Sequence, residues 1–205
     1  MITRYNALLR GINAGTLRRV EMGKLKQLFE RLGYTRVSSY LNSGNILFEA
    51  EQEAKEIRRM VETSLKEELG FEIPTLVKSD MELLRIVSAI PPAWQNNTEQ
   101  RTDVAFLFPE IDSENVLSDL PVKRDFIDLR YVPGAVIWNL ERKNLNKSHL
   151  SKIISHPHYQ LMTVRNVNTA RYLAGQNRGR KIANSLMILS NQVKQPDFLF
   201  AGHIL

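Results

Sequence analysis

The order of periodic segments predicts an α+β protein in two similar halves, each running strand, helix, strand, strand, helix, strand, with a helical extension at the C-terminus. Three observations carry this prediction. Short apolar runs alternate with segments whose apolar residues recur every three or four positions. Turn signatures stand at Asn42-Ser43-Gly44-Asn45 and at Pro133-Gly134, and Pro91-Pro92 interrupts the chain near its middle.

Residues 5–12 form an apolar run short enough for a buried strand. Over 21–32, Leu25, Leu28, Phe29 and Leu32 fall at helical spacing, and Gly33 supplies a stop. Strands over 37–41 and 46–48 join across Asn42-Ser43-Gly44-Asn45, where glycine tolerates the positive φ of a tight turn. Ala54, Ile57, Val61, Leu65 and Leu69 line one side of a helix that ends at Gly70, and a strand follows at 73–77. This is the ferredoxin-like, split strand-helix-strand order with an antiparallel sheet.

Ser79 and Glu82 form a capping-box pattern that opens a linking helix through Leu83, Leu84 and Val87, broken by Pro91-Pro92. A boundary near residue 90 is therefore expected, with halves at 1–90 and 91–175 and the extension at 176–205. In the second half a strand is read at 103–108, a short helix at 112–117, and a hairpin from 126–131 and 135–140. Helical patterns then occupy 148–154 and 167–174. The last strand of this half has no clear pattern.

The chain carries 28 Lys+Arg against 22 Asp+Glu and no cysteine, so disulfides, thiolate zinc sites and a cysteine nucleophile are excluded. The start lacks the apolar core of a signal peptide, and no run approaches the roughly 20 apolar residues of a membrane span, so a cytoplasmic protein without membrane partners is expected. Charge is uneven: residues 1–48 sum to +6, 49–128 to −9 and 129–205 to +9. A fold that joins the ends would create a positive face.

Three polar segments are candidates for binding. The first, Arg10-Gly11-Ile12-Asn13-Ala14-Gly15 with Arg18 and Arg19, lies between the first strand and first helix, where backbone amides and arginines can hold an anion. Its spacing matches neither a dinucleotide fingerprint nor a P-loop. The second is the turn with Ser43 and Asn45, and the third is Thr163-Val164-Arg165-Asn166-Val167-Asn168-Thr169. In the third, Asn166, Asn168 and Thr169 can cap the following helix while Arg165 projects beside its positive end. The ligand-binding set is Arg10, Asn13, Arg18, Ser43, Asn45, Arg165, Asn166, Asn168 and Thr169. His149, His156 and His158 have no carboxylate at a recognised metal spacing, and no nucleophile elbow occurs, so no metal, cofactor or catalytic residue is assigned.

The run Leu8-Leu9-Arg10-Gly11-Ile12-Asn13 leading to Gly15, then Met22 and Leu25, then Gly33-Tyr34 and Ser43-Gly44-Asn45, resembles the uncharacterised bacterial family called domain of unknown function 1697. Residues 163–169 are similar to that family's Thr-x-Arg-Asn-x-Asn-Thr segment, with Val167 standing where the family has tryptophan. The resemblance spans residues 3 to about 175 and implies an α+β fold with ferredoxin-like parts, but no activity.

The functional expectation is a basic, Asn-rich surface that binds nucleic acid or a phosphorylated small molecule. One alternative is an enzyme that positions a nucleotide or small phosphate substrate. The other is a structural role, with a homodimer formed through the apolar end of the extension, Phe198-Leu199-Phe200.

Overall fold

The computed structural model describes residues 1–13 and 19–175. Gly15, Arg18 and the extension 176–205 lie outside the described residues. The first six elements are β1 (Thr3–Leu9), α1 (Met22–Arg31), β2 (Thr35–Ser39), β3 (Asn45–Ala50), α2 (Ala54–Leu69) and β4 (Thr75–Ser79). Their strands form an antiparallel sheet in the order β2-β3-β1-β4. After α3 (Asp80–Ser88) come β5 (Gln100–Leu107), α4 (Val116–Asp119), β6 (Asp128–Val132), β7 (Ala135–Glu141), β8 (Met162–Asn166) and α5 (Val167–Leu173). This second sheet is also antiparallel and repeats the order as β6-β7-β5-β8. The protein is therefore α+β with two four-stranded antiparallel sheets.

Local chemistry explains the boundaries. α2 ends where Gly70 takes a left-handed φ of 76° and its amide bonds the Lys66 carbonyl. α3 begins at a complete capping box: the Glu82 amide donates to Ser79 Oγ at 3.2 Å, and the Ser79 amide donates to Glu82 Oε2 at 2.8 Å. The helix expected at 112–117 is shorter and displaced to α4 at Val116–Asp119, with a separate 3-10 turn before it at Pro109–Ile111. The segment expected to be helical at 148–154 is instead 3-10, at Leu150–Ser155. A left-handed His149 precedes it and Pro157 follows, which leaves too few residues to nucleate an α-helix.

Alternation along each strand divides the interior into three apolar layers. Tyr5, Ala7 and Leu9 of β1 face Leu25, Phe29, Ile57 and Val61 of α1 and α2. Leu8, Leu47 and Leu76 point the other way and share a middle layer with Val104, Phe106 and Ile137 of the second sheet, α3 and α5. Burying each of those leucines contributes about 2 kcal/mol. Ala105, Leu107 and Trp138 cover the outer face of the second sheet with Val116, Leu150 and Ile153. Both sheets thus carry packed side chains on both faces. Among the described residues no helix is long and apolar enough to cross a membrane.

Candidate functional site

Residues 9–10, at the end of β1, meet residues 159–165. Arg10, the first residue past β1, donates from Nε to the Met162 carbonyl at 3.1 Å and from one terminal nitrogen to the Tyr159 carbonyl at 3.2 Å. Its guanidinium carbon also lies 5.4 Å from the Tyr159 ring centre. Three of its five N–H groups bond to no described residue.

Arg165 comes from β8 on the opposite side of the same junction. Its Nε donates to Asn45 Oδ1 at 2.6 Å, one terminal nitrogen to Thr163 Oγ1 and the Val164 carbonyl, and the other to the carbonyls of Leu9 and Ser43 at 3.1 and 2.9 Å. These five bonds engage all five N–H groups, so none remains for a ligand. All the acceptors are neutral. Burial lowers the Arg165 pKa to about 10, and no carboxylate offsets it among the described residues. The residue is only 9% exposed.

The neighbouring asparagines brace the loops. Asn45 is fully buried and donates to the Tyr40 carbonyl at 2.8 Å and to Ser43 Oγ at 3.0 Å. Asn13, left-handed at φ 54°, donates to the carbonyls of Val20 and Asn42 and accepts from the Val20 amide at 2.8 Å. It ties the loop after β1 to the hairpin turn. Ser43 is exposed at the surface of that turn. Beside it Leu41 takes a φ of 56° with its side chain 56% exposed. Between the loop and the turn lies a cleft of about 560 Å³ lined by Asn13, Arg19, Val20, Glu21, Met22 and Asn42. Arg19 is exposed and has no ion-pair partner among the described residues, whereas Glu21 lies 3.6 Å from Lys24.

The structure therefore brings Arg10, Asn13, Ser43, Asn45 and Arg165 together and sets the rest of the predicted set along α5. Asn166 caps α5, accepting from the Thr169 amide at 2.9 Å, and Thr169 is buried. Asn168 donates to the Asn96 carbonyl at 3.4 Å, away from the cleft. Arg18 falls outside the described residues. Val167 packs in the middle layer with no exposure, so a ring at that position would face the core rather than a ligand. Arg19, Asn42, Thr163 and Tyr159 belong to the junction but not to the predicted set. The carbonyls that hold the two arginines leave no trace in a sequence, because every residue has one. Among the described residues, no group of three His, Asp or Glu side chains is placed to hold a metal ion.

The chain is similar to a solved structure, that of the conserved bacterial protein SP0830 from Streptococcus pneumoniae, at 25% identity and a TM-score of 0.75. The match covers 85% of this chain and 98% of that one. No curated protein matches. A family model described as a protein of unknown function, DUF1697, matches residues 2–138, and with two thirds of its length matched the chain belongs to that family.

Proposed function

We propose that the chain binds a small phosphorylated anion in the cleft between the loop after β1 and the hairpin turn. One observation carries this reading: Arg165 is a buried cation with no carboxylate partner among the described residues, and it bonds to the carbonyl of Leu9, the residue before Arg10. Buried charges are costly unless paired, and an anion bound at this junction would supply the missing partner. Arg165 acts through space, because its donors are engaged. Arg19, at the cleft wall, makes the direct contact, and Arg10, three of whose N–H groups bond to no described residue, reaches the ligand from the adjoining junction. Asn13 ties the two loops together, Asn45 braces the hairpin turn, and Ser43 presents a hydroxyl at the rim. Asn166, Asn168 and Thr169 position α5 rather than touch the ligand.

Two features favour a small ligand over a nucleic acid. Packed faces on both sheets leave no open platform for stacked bases among the described residues. Tyr5 and Phe48 of the first sheet are buried, and Tyr40, just past β2, stacks on Tyr172 with ring centres 3.5 Å apart. Non-glycine residues in left-handed backbone cost about 1 kcal/mol each, and Asn13 and Leu41 place two such residues around the cleft, as ligand-binding loops do. The strand order of each sheet supports the ferredoxin-like reading of both halves.

Calorimetric titration with inorganic phosphate, pyrophosphate and mononucleotides tests the proposal. Saturable binding that weakens at least about tenfold in Arg10→Ala/Arg19→Ala supports it. Absence of saturation with all three probes, or binding unchanged in that variant, overturns it. Affinity that rises with oligonucleotide length and falls steeply with salt would assign the surface to nucleic acid instead.

A further inference from the structure

The face of β8 opposite Arg165 carries a second feature. Val164, the preceding residue of the strand, lines a half-open pocket of about 210 Å³ whose wall includes Trp138, Leu150, Ile153 and Tyr159. Trp138 Nε1 donates to Asp103 Oδ2 at 3.1 Å, and the same oxygen accepts from Arg101 Nε at 2.7 Å, so the indole is locked in place. At the pocket edge, Ile154 is 66% exposed. A built apolar hollow beside an uncovered isoleucine is a receptor for one apolar side chain.

The surroundings are basic. Residues 141–161 hold four Lys and Arg against one carboxylate, Glu141, which is already paired with Lys143 at 2.7 Å. Lys147 and Lys152, which lie between the pocket-lining residues of 145–154, are exposed and have no carboxylate partner among the described residues, and Lys147 Nζ stands 5.8 Å from the Phe126 ring centre. His149 reports the same field: burial, then Lys152 and Lys123, hold its pKa below the ordinary imidazole value. We propose that this pocket takes a single leucine-like or phenylalanine-like side chain from an acidic segment of a partner protein, with the flanking lysines gripping the partner's carboxylates. The chain's own end is a poor fit by charge, because 176–205 has Arg178, Arg180, Lys181 and Lys194 against Asp197.

The test uses the full chain with Trp94→Phe, which leaves Trp138 as the sole indole. The probe is a blocked pentapeptide of four glutamates around a central leucine. Saturable change in Trp138 emission is expected, weakened at least about tenfold by Lys147→Glu/Lys152→Glu, by Ile154→Asp, and by replacing the peptide's leucine with serine. Phe198→Ser/Phe200→Ser should leave the free protein's emission unchanged. The proposal is overturned if the peptide gives no saturation or if the charge-reversed variant binds it equally well. A shift in Trp138 emission caused by the Phe198 and Phe200 substitutions alone would assign the pocket to the chain's own end. Self-association abolished by Ile154→Asp would assign it to a second copy.

Discussion

Replacing Arg165 with methionine keeps the apolar stem and removes the five hydrogen bonds that join β8 to Leu9, Ser43, Asn45 and its own strand. Three of those bonds reach the first half of the chain. A bond from a charged donor contributes about 2 kcal/mol, so their loss costs about 6 kcal/mol before any compensation. Methionine also removes a charge that burial disfavours: the fall of the Arg165 pKa from the ordinary guanidinium range to about 10 corresponds to about 3 kcal/mol. The expected net loss is about 3 kcal/mol. With a urea dependence of about 2 kcal/mol per molar, the unfolding midpoint followed by Trp94 and Trp138 fluorescence should fall by about 1.5 M. Asn45→Leu alone should also destabilise, and the double variant should lose clearly less than the sum of the two. A midpoint shift below about 0.3 M, or strict additivity of the two substitutions, would refute the claim that this guanidinium joins the two halves.

Three further outcomes are expected. Gly44→Ala should cost about 2–3 kcal/mol in a thermal melt, because a Cβ there would lie 2.9 Å from Ile12 Cδ1 and from Leu9 Cβ at a φ of 75°; an unchanged melt would show that the turn relaxes freely. Burial pushes the Glu82 carboxyl up, but the Ser79 amide and hydroxyl and Lys78 outweigh it and hold the pKa below 4.5. A depressed carboxyl lends stability above its unfolded pKa and loses it as pH falls through the folded value, so Glu82→Gln should cost about 0.5–1 kcal/mol at pH 7 and little at pH 3. A pH-independent penalty would contradict that assignment. Burial, then Glu56, raise the Tyr34 phenol above 10.0. A raised phenol keeps its full contribution below the unfolded pKa and loses it as pH climbs through the folded one, so Tyr34→Phe should flatten the alkaline limb of a stability profile above pH 10. An identical limb in wild type and variant would rule Tyr34 out as its source.

The helices of the first half are legible because their apolar residues keep one face over several turns and stop at a residue chosen for backbone reasons. α2 runs Ala54–Leu69 as the spacing from Ala54 to Leu69 requires, and the Ser79 and Glu82 pair marks the start of α3. β8 is not legible, because two of its five residues are Thr163 and Arg165, buried polar groups that read as loop. The candidate site was half visible for the same reason. That residues 10–13 and 163–165 belong together could be read from charge and composition. That the Arg165 guanidinium turns inward depends on carbonyls of Leu9 and Ser43 whose approach only the fold determines.

The shared middle layer has a consequence for how the protein is made. Leu8, Leu47 and Leu76 leave the ribosome well before the residues up to Leu173 that complete the layer around them. At ordinary elongation rates this gap of about a hundred residues lasts roughly 5–20 s, during which α3 alone offers partial cover. Nascent chains caught in that interval expose a greasy wall, so translation speed and chaperone supply should govern how much of the protein reaches the soluble fraction.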